Sequence, residues 1–324
     1  MNEPPMPPKA SYLDVLTKHL FPTLRTVCPE RGEEVFGVID ELGITFAFDY
    51  VQDRILFQAH PKTKTITVGT RCLERLWAFA YSHFCSFDAL RTEKLRDLRT
   101  RKVAFDGNER LEKAAALLSW AITWELQARQ LRKPPSDVAT WPDGLPHPVA
   151  NPPKKSDEDV ADELFLVALG YILHHELAHL RMKHTGQRGV SSVLQEKDAD
   201  RAAAEWLLGV GLDESEPRFV KRAFGVAVAL MWLAAASIHA GLRQSDTHPP
   251  GYDRLFQIIS QYVTDDMHPV WAFVATGLEM HLHAEKIEYD LEREATSYKD
   301  AANYYCDVLS HQGRERATKA DHLN

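Results

Sequence analysis

The chain is 324 residues long, with 44% apolar and 26% charged residues and a formal net charge of −8. That length and balance suit a folded protein with a substantial core and exclude a disordered or fibrous chain. The acidic balance, with no basic stripe interleaved with aromatics, excludes a nucleic-acid-binding surface and points to protein or peptide partners.

In chain order, residues 1–10 are Pro-rich and are expected to be disordered. Ser11 to Leu24 reads as a short helix. Between residues 35 and 70 the pattern changes to strands: Val35 to Ile39, Ile44 to Phe48, Arg54 to Phe57 and Thr65 to Val68. β-branched and aromatic residues dominate there, and His60 to Lys64 reads as a hairpin loop. A small antiparallel sheet in the N-terminal third is the expected result. From Arg71 onward every periodic segment is helical, over 71–87, 109–130, 158–184, 194–209, 217–242, 252–263, 268–288 and 290–311. The fold class is therefore α+β and mostly α-helical. The expected divisions are 1–10, a helix–sheet–helix region at 11–132, a Pro-rich loop at 133–157, a helical core at 158–312 and a tail at 313–324. Lys133 to Lys155 holds seven of the eighteen prolines, and a flap over a substrate cleft is expected there.

Ala223 to Leu242 is nearly uncharged and long enough to be weighed as a membrane span. Its Ala and Gly content, and the lack of aromatic belts, favour a helix buried at the centre of a large domain. Met1-Asn2-Glu3-Pro4-Pro5 lacks the basic start and apolar run of a signal peptide. Cys28, Cys72, Cys85 and Cys306 are scattered without CxxC spacing, as in a cytoplasmic protein with reduced thiols. No feature speaks to oligomeric state.

The chemistry concentrates in the helix near 158–184. Ser156-Asp157-Glu158-Asp159 supplies a cap and first-turn acids. Within the helix stands His175-Glu176-Leu177-Ala178-His179. Histidines four apart project from one helix face and can clasp a single ion, for which Zn2+ is the fitting candidate. Glu176 can reach a water on that ion and act as the general base in hydrolysis. A His₂Glu zinc site needs one more carboxylate from a neighbouring helix, and Glu196 in Gln195-Glu196-Lys197-Asp198-Ala199-Asp200 is that candidate. Asp200, one turn on, can accept a hydrogen bond from the far nitrogen of a ligand histidine. His174 points about 100° away from His175 and reads as packing. His184, His281 and His283 read as residues away from the ligand face, the last two at the surface. Trp206, Trp232 and Trp271 read as core.

The His175-Glu176-x-x-His179 and Glu196-x-x-Ala199-Asp200 pair resembles the gluzincin metallopeptidases. Thr247-His248-Pro249-Pro250-Gly251-Tyr252-Asp253-Arg254 is similar to the His-Pro-Pro and downstream Arg segment of HtpX-type peptidases. Together with the upstream strands and a helix over Leu73 to Tyr81, the set resembles the phage-exclusion (Lit-type) peptidase family. That resemblance implies a zincin-like helical core and cleavage of a host translation factor when a phage is sensed. His248 and Arg254 are candidates for stabilising an oxyanion opposite the metal or for shaping the cleft. The expected function is thus a zinc-dependent endopeptidase acting on a protein. The alternatives are a non-catalytic zinc-bound interaction protein and a zinc hydrolase of a small amide or ester. Glu176 favours an enzyme, because a structural zinc has no need of a carboxylate there.

Overall fold

A computed structural model describes residues 12–49, 57–92, 105, 107–130, 141–183, 190–239, 251–290 and 293–321. The first ten residues, for which disorder was expected, lie outside these. The chain opens with two short helices, α1 (Tyr12–Thr17) and α2 (Leu20–Thr26), where one was expected. After a single 3-10 turn at Pro29–Arg31 comes α3 (Gly32–Leu42).

The α3 helix overturns the strand expected at Val35 to Ile39. Glu33 and Glu34 in its first turn favour the helix dipole, and Val35 and Ile39 are buried one turn apart. Gly43, at φ 63°, takes the left-handed cap that ends it, with its N–H on the Asp40 carbonyl. Four apolar residues with β-branching satisfy both periods, and the caps decide for the helix.

Three strands follow: β1 (Thr45–Asp49), β2 (Phe57–His60) and β3 (Thr65–Gly69). The expected hairpin loop at 60–64 turns β2 back onto β3, and that pair is antiparallel. The sheet as a whole is mixed, because β3 lies between the other two and runs parallel to β1. Strand direction alternates along the chain, so placing the third strand beside the first makes that pair parallel. The fully buried Ile66 and Val68 share one face with Phe46, Phe48, Phe57 and Ala59 across the registers, and this face joins the core. Residues 50–56, which include most of the strand expected at 54–57, lie outside the described residues.

The helical body comprises α4 (Thr70–Thr92), α5 (Glu109–Gln130), α6 (Asp157–Arg181), α7 (Val190–Leu208), α8 (Pro217–His239), α9 (Gly251–Tyr262), α10 (Pro269–Ala284) and α11 (Tyr298–Asp321). α6 is central: α2, α4, α7, α8 and strand β2 all pack against it. Its N-terminus is built as its sequence requires, with Ser156 Oγ accepting from the Asp159 N–H. Arg110 from α5 grips Asp157 with two donors at 2.6 and 2.7 Å and reaches Asp88 of α4 at 2.9 Å. This fork ties three helices at one end of α6.

α8 runs through the core, with Val226 to Trp232 all buried. No helix among the described residues is long and apolar enough to cross a membrane. All four cysteines are free thiols and buried. Trp206, Trp232 and Trp271 are core residues. Within the Pro-rich loop, residues 133–140 lie outside the described residues, and Trp141 docks against Tyr12, Trp77 and Trp120. Trp77 also donates to Asp162 in the first half of α6. Thirteen residues separate Asp162 from His175, about 20 Å along a helix, so this part of the loop is anchored away from the expected cleft.

The α6–α8 crossing is close enough to require glycine. A Cβ on Gly225 would lie 2.4 Å from Val167 Cβ and 3.2 Å from the Ala168 amide nitrogen. Gly225→Ala is therefore expected to cost about 1–3 kcal/mol through overpacking. Gly37, exposed on α3 with nothing within 4 Å of an added Cβ, is the contrast. Gly37→Ala should gain about 0.5–1 kcal/mol from helix propensity alone. Urea denaturation of the two variants checks both signs.

Candidate metal centre

His175 and His179 stand one turn apart on the C-terminal half of α6, with ring centroids 4.8 Å apart and planes at 79°. Their Nε2 atoms face each other at 3.1 Å. Glu196, from α7, brings Oε2 to 3.4 Å from His175 Nε2 and Oε1 to 3.4 Å from His179 Nε2. One ligand atom from each of the three lies within 4.8 Å of the others, and the three can hold a metal ion.

These separations test the fit to zinc. Donors about 2.0–2.1 Å from a tetrahedral ion are roughly 3.3 Å from one another. The observed 3.1, 3.4 and 3.4 Å match that edge length. Two imidazole nitrogens and a carboxylate are also the donor chemistry that zinc takes. Three protein donors leave a fourth tetrahedral position for water or substrate.

The rear of the cluster is a buried electrostatic knot. Asp200, one turn beyond Glu196 on α7, places Oδ1 3.0 Å from His175 Nδ1. Arg254 from α9 donates to both oxygens of Asp200, Nε to Oδ2 at 2.7 Å and Nη2 to Oδ1 at 2.6 Å. Tyr171, one turn before His175 on α6, donates its hydroxyl to the same Oδ1 at 3.0 Å. Burial alone would push the Asp200 carboxyl up, but Arg254 and His175 outweigh it and hold the group at about 2. Burial disfavours a charged His175, yet Asp200 and Glu196 raise it to about 10. The two carboxylates thus favour positive charge at this point.

Glu176 projects from a different side of α6, toward the sheet. It is buried, and its Oε2 accepts the Ala59 main-chain N–H of β2 at 2.6 Å. Burial pushes its carboxyl up, opposed by His175, His179 and the Ala59 N–H.

Of the residues singled out in the sequence, His175, His179, Glu196 and Asp200 come together as expected, with Glu176 alongside. Arg254, a candidate for stabilising an oxyanion or shaping the cleft, gives its guanidinium to Asp200 behind the cluster, with Nη2 3.9 Å from Glu196 Oε2. His248, the other candidate oxyanion donor, lies outside the described residues, as does His184. His174 packs, stacking on Trp206 at 4.7 Å, while Arg31 lies 3.7 Å from the centre of the same indole. His281, expected at the surface, is buried, with Nε2 2.8 Å from Glu285 Oε1; His283 stacks on Phe105 at 4.2 Å. Their helix α10 is enclosed by neighbours, so both of its sides are packed. Tyr171 and Ala59 were missed. Tyr171 carried a signal, being four residues before His175 and so on the same helix face.

A family model described as Peptidase U49 matches residues 66–274, a stretch running from β3 into α10 and containing the whole cluster. The "Cell death peptidase" of Escherichia coli (strain K12) is similar, at 28% identity over 299 residues, covering 90% of this chain and 96% of that protein. No solved structure matches the chain. With nearly two thirds of its length matched, the chain belongs to the Peptidase U49 family.

Proposed function

We propose that this member of a peptidase family is a zinc-dependent endopeptidase that hydrolyses a peptide bond in a protein substrate. The observation that carries the reading is the convergence of His175 Nε2, His179 Nε2 and Glu196 at separations of 3.1, 3.4 and 3.4 Å. Zinc held there supplies Lewis acidity, polarising a substrate carbonyl and lowering the pKa of a bound water to about 7.

The chain's own residues divide the remaining work. Glu176 accepts a proton from the attacking water at its carboxylate and passes it to the leaving amide nitrogen. Its buried setting raises its proton affinity, which suits that role. Asp200 holds the His175 ring by Nδ1 and so presents Nε2 to the metal. Arg254 and Tyr171 act through Asp200 as positioning residues. His248 is kept as the candidate donor to the oxyanion that forms on the scissile carbonyl.

The gluzincin and Lit-type likeness in the motifs supports the same mechanism and suggests phage exclusion as its setting. The name of the Escherichia coli relative joins a peptidase activity to cell death, and the substrate proposed here is a protein of the host cell.

Purified protein should carry one zinc per chain. Glu176→Gln should retain it while cleavage falls by about 10²–10⁴-fold, and Glu196→Ala should lose it. Metal analysis, together with comparison of cellular proteins fragmented on expressing wild type and Glu176→Gln, checks this; undiminished fragmentation by Glu176→Gln would sink the mechanism. The knot behind the metal makes a separate prediction. Arg254→Met strands a buried carboxylate, and urea denaturation of the metal-free protein should show a loss of about 3–5 kcal/mol.

A further inference from the structure

We propose that the Ala59 main-chain N–H is a positioning donor for Glu176, fixing the base's carboxylate to strand β2 of the sheet. The inference rests on the reading of Glu176 as proton acceptor and names a group outside the helices that carry the metal ligands.

Among the described residues β2 is an edge strand, since the sheet order is β1-β3-β2. In an antiparallel pair, successive residues turn their N–H and C=O groups alternately toward the neighbour and away. Ala59 opposes Ile66 in the register, yet its N–H goes to Glu176 Oε2, 117 residues further along the chain. Ala59 therefore belongs to the outward set of β2, while Gln58 and His60 are placed to bond β3. An outward N–H on a half-buried edge that packs against a helix is best satisfied by an acceptor on that helix. Here the acceptor is the carboxylate next to a metal-ligand histidine.

The strand is held firmly enough to serve as a reference point. Phe57, on the same strand face as Ala59, packs edge-on against Trp232 of α8 at 5.8 Å, and Trp232 is buried. The hairpin to β3 fixes the other end. A glutamate has three rotatable side-chain bonds, and a base loses rate when its oxygen wanders from the proton it must take. A backbone donor at 2.6 Å to a carboxylate is a short, charge-assisted bond, and unlike a side-chain donor it cannot turn away. It occupies Oε2 and leaves Oε1 for the proton.

The geometry makes a selective test available. Proline at an outward edge position removes an N–H without breaking the ladder, and here its Cδ takes the place of the bonded hydrogen and so displaces the Glu176 carboxylate from that point. Ala59→Pro should keep zinc and melting temperature, and lower kcat on a protein fragmented by the wild type by on the order of 10–100-fold, with KM within about twofold. Ala59→Ser, which restores the N–H, should recover the rate. In protein labelled with ¹⁵N-alanine, the Ala59 amide is the resonance missing from Ala59→Ser. Its exchange with solvent should quicken by on the order of 10–100-fold in Glu176→Ala. Zinc-loaded, active wild type with an Ala59→Pro variant of equal kcat would overturn this role alone, as would an Ala59 amide indifferent to Glu176→Ala. The amide measurement decides if Ala59→Pro fails to fold. A wild type that binds no zinc and cuts nothing removes the proposed function, and this role with it.

Discussion

The buried carboxylate of Asp200 is the constraint on which the centre depends. It is 2% exposed, and an ionised group so far from water is costly unless several donors converge on it. Arg254 supplies two from α9 and Tyr171 one from α6, so satisfying one charge brings three helices to a common point. Once α7 is fixed against α6 in this way, Glu196 has little freedom left, since it stands one turn from Asp200 on the same face. His175 then meets a carboxylate at each ring nitrogen, Asp200 at Nδ1 and Glu196 at Nε2. Two acids spaced by one turn match the two nitrogens of one imidazole. Both ring nitrogens thus lie within 3.4 Å of a carboxylate oxygen.

Much of this was legible in the sequence because helical periodicity converts spacing into direction. Two histidines four apart, and two acids four apart on the next helix, can meet only through facing sides, and the helix that carries the histidines had a clear cap at Ser156. Arg254 was legible as a residue of the site, but the sequence could not say which side of the metal it would occupy. That depends on how α9 docks against α7, and spacing carries no information about docking. The misread strand at Val35 to Ile39 has a different cause: a short apolar run fits both periods, and the deciding signals were Glu33, Glu34 and Gly43 at its ends. The parallel β1–β3 pairing was equally hidden, because local sequence specifies strands and turns rather than their lateral order.

The N-terminal region does more than cap the helical body. Glu30 accepts two bonds from the buried Arg222 of α8, at 2.6 and 2.9 Å, and Arg31 lies over Trp206 of α7, against which His174 stacks. These contacts fasten residues 28–31 behind α6 and α7. The sheet comes round to the Glu176 side. α6 is thus flanked from both directions by the part of the chain before residue 70, and its middle, from Leu164 to Leu173, carries no charge. Where α6 is buried, charge stands where it is answered, and His175, Glu176 and Asp159 each have a named partner.

The proposed metal ligands and the proposed base are answered from different sources. The histidines are oriented by side chains of α7 and α9, so the ligand set depends on charge pairing within the helical body. Glu176 is about 100° round the helix from His175 and faces the sheet, where a main-chain donor meets it. The donor to Glu176 has no residue signature, since every non-proline residue carries an N–H, and only the strand's register decides which one arrives. Loss of a side chain can loosen the ligands while the base stays tethered, and a shift of β2 can free the base while the ligands stay paired. Under the proposed reading, affinity for a metal and readiness to move a proton are set by two separate parts of the fold, α7 with α9 on one side of α6 and β2 on the other.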